Sequence, residues 1–150
     1  MKFVIQRVDQ ASVSVENQEI ASIGKGYLIL AGISDSDNEK IADQMLQKTL
    51  GLRLFPDENG KTNLNLSQVN GELLIVSQFT LYANCRKGNR PSFTEAGKPE
   101  HAKELYEYIL SKAKEQCPRV ESGEFGAHMS VSLINNGPFT IVLDSEQILK

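Results

Sequence analysis

The sequence predicts an α+β fold in a single domain over residues 1–150, with a mostly antiparallel or mixed, barrel-like β-sheet and two main helices. About six or seven short apolar segments have the pattern of strands, whereas two longer segments repeat apolar residues at helical spacing. Strands and helices do not alternate regularly, which favours an α+β fold over a series of βαβ units. The length of 150 residues allows one hydrophobic core and leaves no room for a separate substrate domain.

The chain is predicted to begin with a long strand and a hairpin. Residues 2–15 alternate between apolar and polar side chains, which is typical of a half-buried strand. The polar residues 17–19 indicate a turn, and residues 20–23 are predicted to form a short returning strand. Residues 27–31 are apolar without alternation, so we expect a central strand that is covered on both faces.

A first helix is predicted after this strand. Ser36 and Glu39 have the spacing of a capping box, in which the two side chains bind the free N–H groups of a helix start. Apolar residues then recur at helical spacing, so we expect a helix from about Asp37 to Leu52. Residues 55–68 are rich in turn-forming residues and predict an exposed loop.

The second half of the chain predicts a buried strand, a loop, a helix and two further strands. Residues 73–80 begin as an apolar strand and then become polar, a change that places polar groups at the rim of a sheet. Residues 83–96 are predicted to be a loop, and a helix is expected from near Gly97 to the Cys117-Pro118 pair. Strands are expected at residues 127–134 and 139–143.

The segment between these last two strands, Asn135 to Thr140, allows two interpretations. Asn136-Gly137 between two strand-like runs is a strong hairpin signal, which favours a plain turn. Pro138 has no N–H to donate to a returning strand, which favours a rigid, bent corner that presents carbonyl oxygens. The sequence alone leaves both interpretations open.

The charge distribution argues against a surface that is basic all over. The net charge is −3 and the isoelectric point is about 5.4. A local cluster of three cations nevertheless lies in the loop at Arg86, Lys87 and Arg90, where it could bind phosphates or simply be a solvated loop. No apolar run is long enough to span a membrane, and the N-terminus does not have the pattern of a signal peptide, so we expect a cytoplasmic location.

Familiar catalytic motifs are missing, which narrows the chemistry. The sequence has no serine-hydrolase elbow, phosphate-binding loop, zinc-protease motif or Cys/His cluster. His101 and His128 are interpreted as structural. The segment Ser77 to Thr80 offers hydroxyls, an amide and strand-end N–H groups that could form an oxyanion hole, although the residues alone favour a strand end with satisfied polar groups.

Two stretches together, SQFTLYA at residues 77–83 and NNGPFT at residues 135–140, resemble the D-aminoacyl-tRNA deacylase family. The opening MKFVIQRVDQASVSV and the segment GEFGAHMSVSL are similar to the same family, so the resemblance covers essentially the whole chain. It implies a cytoplasmic homodimer that hydrolyses the ester between a D-amino acid and the terminal adenosine of tRNA. It also implies the removal of glycine from mischarged tRNA, with no cofactor and no metal.

The resemblance also implies roles for particular residues. Gly137 and Pro138, joined by a cis bond, would enter the pocket of the partner subunit and present main-chain carbonyls to the amino group of the substrate. An L-side chain would collide with this corner. The catalytic residues would be Gln78, Phe79 and Thr80, with water preferred over Thr80 as the nucleophile. Supporting roles would fall to Ser77 in substrate binding, Phe125 and Met129 in the pocket wall, Arg7, Asn135 and Thr140 in holding the corner, and Arg86, Lys87 and Arg90 in binding the tRNA acceptor end.

Two other functions fit the sequence less well. One is an RNA-binding or subunit-interface protein without catalysis, in which the Gly-Pro corner serves only dimerisation. The other is a hydrolase of small D-amino-acid esters that does not use RNA.

Overall fold

The structure is a computed structural model that describes residues 1–149. In chain order its elements are β1 (Lys2–Val15), β2 (Gln18–Ile23), β3 (Gly26–Gly32), α1 (Glu39–Gly51), β4 (Phe55–Pro56), β5 (Thr62–Leu64), a 3₁₀ turn at Ser67–Val69, β6 (Glu72–Ser77), a second 3₁₀ turn at Phe79–Tyr82, α2 (Pro99–Gln116), β7 (Val120–Ser122), β8 (Ser130–Asp144) and α3 (Ser145–Ile148). The predicted α+β class is confirmed.

Six of the strands form one mixed sheet in the order β2-β1-β3-β6-β7, with β8 on β1. Strand β1 pairs antiparallel with β2, β3 and β8, whereas β3-β6 and β6-β7 are parallel pairs. The two ends of the sheet approach each other, because Arg119 beside β7 donates to the Ser22 main-chain oxygen in β2 at 2.9 Å. The sheet is therefore a nearly closed barrel, as predicted.

The sheet has a core on each face. The larger core lies between the sheet and helices α1 and α2, and contains Phe3, Ile5, Tyr27, Ile29, Met45, Leu46, Leu73, Ile75, Leu105, Tyr106 and Ile109. The smaller core fills the inside of the curl with Val8, Ala11, Val13, Ala21, Ile23, Leu28, Leu74 and Val76. Strand β3 contributes to both cores, which confirms the prediction of a central strand covered on both faces.

The prediction of two strands separated by a break near residue 135 is wrong, and so is the plain-turn interpretation. Strand β8 continues through the corner and follows β1 along its whole course. Gln6 is opposite Thr140 and Val8 is opposite Asn135, so two steps along β1 match five along β8 and the extra residues bulge outward. The Gly137-Pro138 peptide bond in this bulge is cis.

The predicted capping box at the start of α1 is also wrong. Asn38 caps the helix, because its side-chain oxygen accepts from the Ile41 N–H at 3.0 Å. The neighbouring Asp37 is buried, where its carboxylate accepts from the Ser34 N–H at 2.7 Å and pairs with the Met1 ammonium group at 2.7 Å. The helix therefore begins at Glu39, two residues later than expected.

Residues 55–68 are only partly the exposed loop that the sequence predicts. Strands β4 and β5 form a small hairpin, and Phe55 and Leu66 are buried in the core. The ring of Phe55 stacks on Tyr27 with centroids 5.3 Å apart. The turn-forming residues thus occupy only the tip of the hairpin, while apolar side chains fix its base.

Candidate active site

A cavity of about 730 Å³ opens where β3 and β6 end. These two parallel neighbours finish at the same edge of the sheet, where side chains of different strands converge. The start of α2 and the segment before β8 complete the wall. Five predicted site residues line this one cavity, namely Ser77, Gln78, Phe79, Phe125 and Met129.

The end of β6 is held firmly against β3. The Gln78 N–H donates to the Ala31 main-chain oxygen at 2.8 Å. A side chain at Gly32 would bring its Cβ to 2.9 Å from the Leu81 Cβ, so the close approach of β3 to the following turn requires a glycine. The backbone from Ser77 to Leu81 is therefore positioned by the sheet itself.

The turn after β6, which begins at the wall residue Phe79, leaves two main-chain N–H groups without an acceptor inside the turn. Its first internal hydrogen bond runs from the Leu81 N–H to the Gln78 oxygen at 3.3 Å. The N–H groups of Phe79 and Thr80 precede that bond and have no acceptor within the turn. This is the arrangement that stabilises an oxyanion when the donors face a reacting carbonyl group.

Thr80 follows the wall residue Phe79 in the chain and is exposed, but it does not itself line the cavity. Its hydroxyl oxygen accepts a hydrogen bond from the Gln78 Nε2 at 2.6 Å. Among the described residues, no carboxylate or imidazole group is hydrogen bonded to this hydroxyl. Thr80 therefore lacks the adjacent base that activates a hydroxyl nucleophile.

The inner wall is supported from behind by α2. The ring of Phe125 lies 5.9 Å from that of Tyr106, centroid to centroid. The Tyr106 hydroxyl donates to the Ile75 main-chain oxygen at 2.6 Å, just before the end of β6. Burial raises the pKa of Tyr106 to about 12, so the hydroxyl remains a donor at neutral pH.

The Gly137-Pro138 corner is exposed and is braced by Arg7. The arginine donates from Nε to the Asn136 main-chain oxygen at 2.9 Å and from Nη2 to the Asn136 Oδ1 at 3.3 Å. Its Nη1 donates to the Leu54 main-chain oxygen at 2.6 Å, and its guanidinium lies 4.6 Å from the centre of the Phe139 ring. The guanidinium thus ties the corner to the segment before β4.

Side chains of the corner itself complete this network. The Asn135 Oδ1 accepts from the Phe139 N–H at 2.6 Å, while its Nδ2 donates to the Thr140 hydroxyl oxygen at 3.0 Å. The Asn136 Nδ2 donates to the Asp9 carboxylate at 2.7 Å. The bulge is therefore closed by side chains in place of the missing strand-to-strand hydrogen bonds.

Within one chain the corner and the cavity lie apart. The corner is opposite Gln6 to Val8 of β1, which pair with the beginning of β3, whereas the cavity lies at the end of β3. Along β8 itself, Gly137 is six residues beyond Val131 of the cavity wall, a distance of up to about 20 Å in an extended strand.

The cationic cluster is close to the cavity. The loop that contains it returns through an Asn84–Ser92 bridge and continues into Phe93 and Thr94, which line the cavity. The side chains of Arg86, Lys87 and Arg90 are exposed.

Comparison with known proteins identifies the family of the chain. The family profile described as D-Tyr-tRNA(Tyr) deacylase matches residues 4–144. The chain belongs to this family. It is 51% identical over 148 residues to the D-aminoacyl-tRNA deacylase of Thermosipho africanus, and the match covers 99% of each chain. The family and the enzyme class predicted from the sequence, a hydrolase, are thereby confirmed.

Two solved structures have the same fold as this family member. One, named c-Myc DNA Unwinding Element Binding Protein, is 41% identical with a TM-score of 0.91 over 96% of this chain and 98% of the other. The second, described as a probable eukaryotic D-amino acid tRNA deacylase, has a TM-score of 0.79 at 18% identity over 95% and 97% of the chains. The second similarity concerns the fold alone.

Several residues of the cavity of this deacylase-family chain were not predicted from the sequence. Phe93, Thr94, Lys98 and Asp35 line it, and so does His128, which was interpreted as structural. The position of His128 between the predicted wall residues Phe125 and Met129 was a signal that could have identified it.

The described residues contain no group of three His, Cys, Asp or Glu side chains arranged to hold a metal ion. No helix within residues 1–149 is long and apolar enough to cross a membrane.

Proposed function

We propose that this chain hydrolyses the ester between a D-amino acid and the terminal adenosine of tRNA, and that it also acts on glycyl-tRNA. The observation that carries the proposal is the end of β6, where Phe79 lines a cavity large enough for an aminoacyl nucleoside and the Phe79 and Thr80 N–H groups have no acceptor within the turn. The names of relatives about 50% identical over the whole chain support the same substrate class. The reaction would serve chiral proofreading in the cytoplasm.

In the proposed reaction, water attacks the ester carbonyl carbon and the carbonyl oxygen becomes an oxyanion. The N–H groups of Phe79 and Thr80 stabilise this charge, and Gln78 orients the reacting groups. The bond from the carbonyl carbon to the ribose oxygen then breaks, and the ribose oxygen leaves as a hydroxyl group with a proton derived from the water. The neighbouring 2′-hydroxyl of the ribose assists the proton transfer, which accounts for the lack of a general base at Thr80.

Chirality is selected by the Gly137-Pro138 corner of a second copy of the chain. The main-chain carbonyls of the corner bind the amino group of the substrate, so that a side chain of the L-hand collides with the corner. Because the two enantiomers present the same groups in different directions, exclusion has to come from such a clash. The exposed corner, its distance from the cavity of its own chain and the bracing by Arg7 support this arrangement.

A main-chain selector also accounts for a broad range of substrates. It does not contact the side chain of a D-amino acid, so different D-amino acids are accepted. Glycine has no side chain to collide with the corner, and a clash alone cannot exclude it. Ser77, Phe125 and Met129 bound the space that the aminoacyl group occupies.

The cationic loop binds the acceptor end of tRNA in this proposal. Contacts from Arg86, Lys87 and Arg90 to phosphates would orient the RNA without reading its sequence.

One comparison tests the proposal directly. The release of D-tyrosine, L-tyrosine and glycine from matched tRNAs is measured alongside the release of D-tyrosine from its simple methyl ester. Fast release of D-tyrosine and glycine from tRNA, with little release of L-tyrosine, is expected. Similar rates for the D- and L-tyrosyl-tRNAs would contradict the chiral function. Similar rates for the methyl ester and D-tyrosyl-tRNA would favour a small-ester hydrolase.

The proposed dimer requires a separate measurement. Sedimentation equilibrium is expected to give twice the mass of one chain, 16.6 kDa, at the concentrations used in the assay. An active species with the mass of a single chain would contradict a corner supplied by a partner.

A second candidate function is nucleic-acid binding without hydrolysis. The cationic loop favours it, as does the similarity to the 41% identical structure, whose name is that of a DNA-binding protein. Purified protein that binds tRNA or single-stranded DNA but releases no D-tyrosine from D-tyrosyl-tRNA would favour this function over the deacylase.

A further inference from the structure

Two phenyl rings, those of Phe79 and Phe93, stand exposed against each other on the rim of the cavity. Phe79 is 58% and Phe93 is 37% exposed, and their ring centroids lie 5.2 Å apart with the planes at 70°. An edge-to-face pair leaves the face of one ring open for another planar group. Adjoining apolar side chains that remain exposed at the mouth of a cavity indicate a binding surface.

The loop that carries Phe93 brings three cations next to this ring. Asn84 and Ser92 exchange two main-chain hydrogen bonds, of 2.7 and 2.9 Å, so that residues 85–91 protrude as a closed tip. The cations of the tip are Arg86, Lys87 and Arg90, and none of the three makes an ion pair within residues 1–149. Phe93 lies at the base of the tip, between the cations and the cavity.

We propose that the Phe93 ring stacks on the base of the unpaired nucleotide that precedes the terminal adenosine, while the cationic tip binds the neighbouring phosphates. The inference rests on the proposed function and extends it from the terminal nucleoside to the single-stranded end of the RNA. The order of cavity, ring and cations in the protein matches the order of terminal nucleoside, preceding base and phosphates in the substrate.

The chemistry of the surface favours a single strand over a duplex. Every unpaired base offers a flat face to an aromatic ring, and such stacking is independent of base identity. In a duplex the base faces are covered by their neighbours and only phosphates remain accessible to the cations. A cavity of about 730 Å³ has the size of a site for one small ligand, so a chain of nucleotides attached to that ligand would leave over the rim.

The first test compares two substrates that differ by one nucleotide. These are the D-tyrosyl ester of adenosine and the D-tyrosyl ester of the dinucleotide cytidylyl-adenosine. The wild-type protein is expected to have a KM for the dinucleotide that is lower by on the order of 5- to 150-fold, the range that stacking of one base supplies. Phe93→Leu keeps an apolar side chain and the cationic tip but removes the flat face, so this advantage is expected to fall at least about fivefold. Phe93→Trp is expected to retain it.

The second test measures binding without hydrolysis. Fluorescence anisotropy compares an uncharged single-stranded RNA that ends in ACCA with a blunt duplex of the same sequence. Phe93→Leu is expected to weaken binding of the single strand at least fivefold more than binding of the duplex. Ile20→Ala is the matched control, because it removes an exposed apolar side chain, 46% exposed, from β2 rather than from the rim.

The results separate this inference from the proposed function. If Phe93→Leu raises the KM equally for both esters, or weakens the binding of single strand and duplex equally, the stacking role of Phe93 is overturned. A wild-type protein that hydrolyses neither ester nor D-tyrosyl-tRNA, yet binds the single strand through Phe93, would overturn the deacylase function and leave the stacking site intact. Thermal unfolding of each variant checks that the fold is preserved.

Discussion

Replacing Arg7 with lysine tests whether a rigid corner is the selector of handedness. The guanidinium of Arg7 bridges the Leu54 main-chain oxygen and the Asn136 main-chain oxygen, at 2.6 and 2.9 Å. A lysine has one nitrogen at the end of a flexible stem and cannot span both acceptors with the geometry of a planar fork. The variant therefore keeps the positive charge but releases the corner from the segment before β4.

The expected effect follows from the contacts that are lost. A lysine can keep one of the three hydrogen bonds of Arg7, and it also loses the flat contact with the Phe139 ring. Hydrogen bonds that involve a charged group contribute about 1.5 to 3 kcal/mol each, and the exposed pair to Asn136 belongs at the lower end. The loss of two such bonds removes about 3 kcal/mol from the fixing of the corner, which corresponds to a fall in discrimination of up to about 150-fold.

The assay measures kcat/KM for D-tyrosyl-tRNA and L-tyrosyl-tRNA, and the ratio of the two is the readout. Arg119→Lys is the matched control, because Arg119 also donates to a main-chain oxygen, that of Ser22 at 2.9 Å, and closes the sheet far from the corner. Its ratio is expected to remain that of the wild type. An unchanged ratio in a folded Arg7→Lys variant, or an equal fall in both variants, would refute the role of the corner.

Three further changes test other parts of the site. Thr80→Ala is expected to keep kcat within about tenfold of the wild type, because the proposed nucleophile is water and not the hydroxyl group of Thr80. Complete loss of activity with intact tRNA binding would identify Thr80 as the nucleophile. Neutralising the cations of the loop, Arg86, Lys87 and Arg90, is expected to reduce the slope of log K against log salt concentration for tRNA binding by about 2 to 3. An unchanged slope would mean that RNA binds elsewhere. Tyr106→Phe removes the bond to the Ile75 oxygen and is expected to lower the free energy of unfolding by about 1 to 2 kcal/mol at pH 7. Because burial raises the pKa of Tyr106 from about 10 in the unfolded chain to about 12, the advantage of the wild type is full below pH 10 and shrinks as the pH rises towards 12; a constant difference in denaturant unfolding across that range would contradict this assignment.

The parts of the fold that could be predicted from the sequence are the helices and strands in which apolar residues recur at regular spacing on one face. Strand β1 and helix α2 have such patterns, and the structure gives their bounds within two residues of the prediction. Strand β3 was recognisable because both of its faces are apolar. In each case burial against a sheet or a helix follows directly from the spacing of apolar residues.

The predicted bounds of β8 and α1 were wrong where a side chain makes the hydrogen bond that a backbone group would otherwise make. Gly137 and Pro138 have the local preferences of a chain break, yet β8 continues because the Asn135 side chain accepts the Phe139 N–H. At the start of α1, Ser36 and Asn38 are both good caps, and the buried position of Asp37 between them decides for Asn38. Such choices depend on tertiary contacts that are absent from the local pattern.

The candidate site could likewise be predicted only in part from the sequence. The change from apolar to polar residues at the end of β6 indicated the strand end, and the structure places that end on the cavity. Phe93 and Lys98 were missed because they come from a loop and a helix start whose proximity to β6 is set by the packing of α2. No spacing between these segments in the sequence encodes that proximity.

The sheet explains why the proposed reaction needs two copies of the chain. Strand β1 pairs with both β3 and β8, so it fixes the cavity and the corner in one rigid frame, but at opposite ends of β3. Moving the corner into the cavity of its own chain would break the pairing of β1 with β8. In the proposed twofold dimer each corner would enter the cavity of the other chain while the pairing of β1 with β8 stays intact in both. A selector built into a sheet would keep its direction when the substrate changes. A fixed direction is what discrimination between mirror images requires.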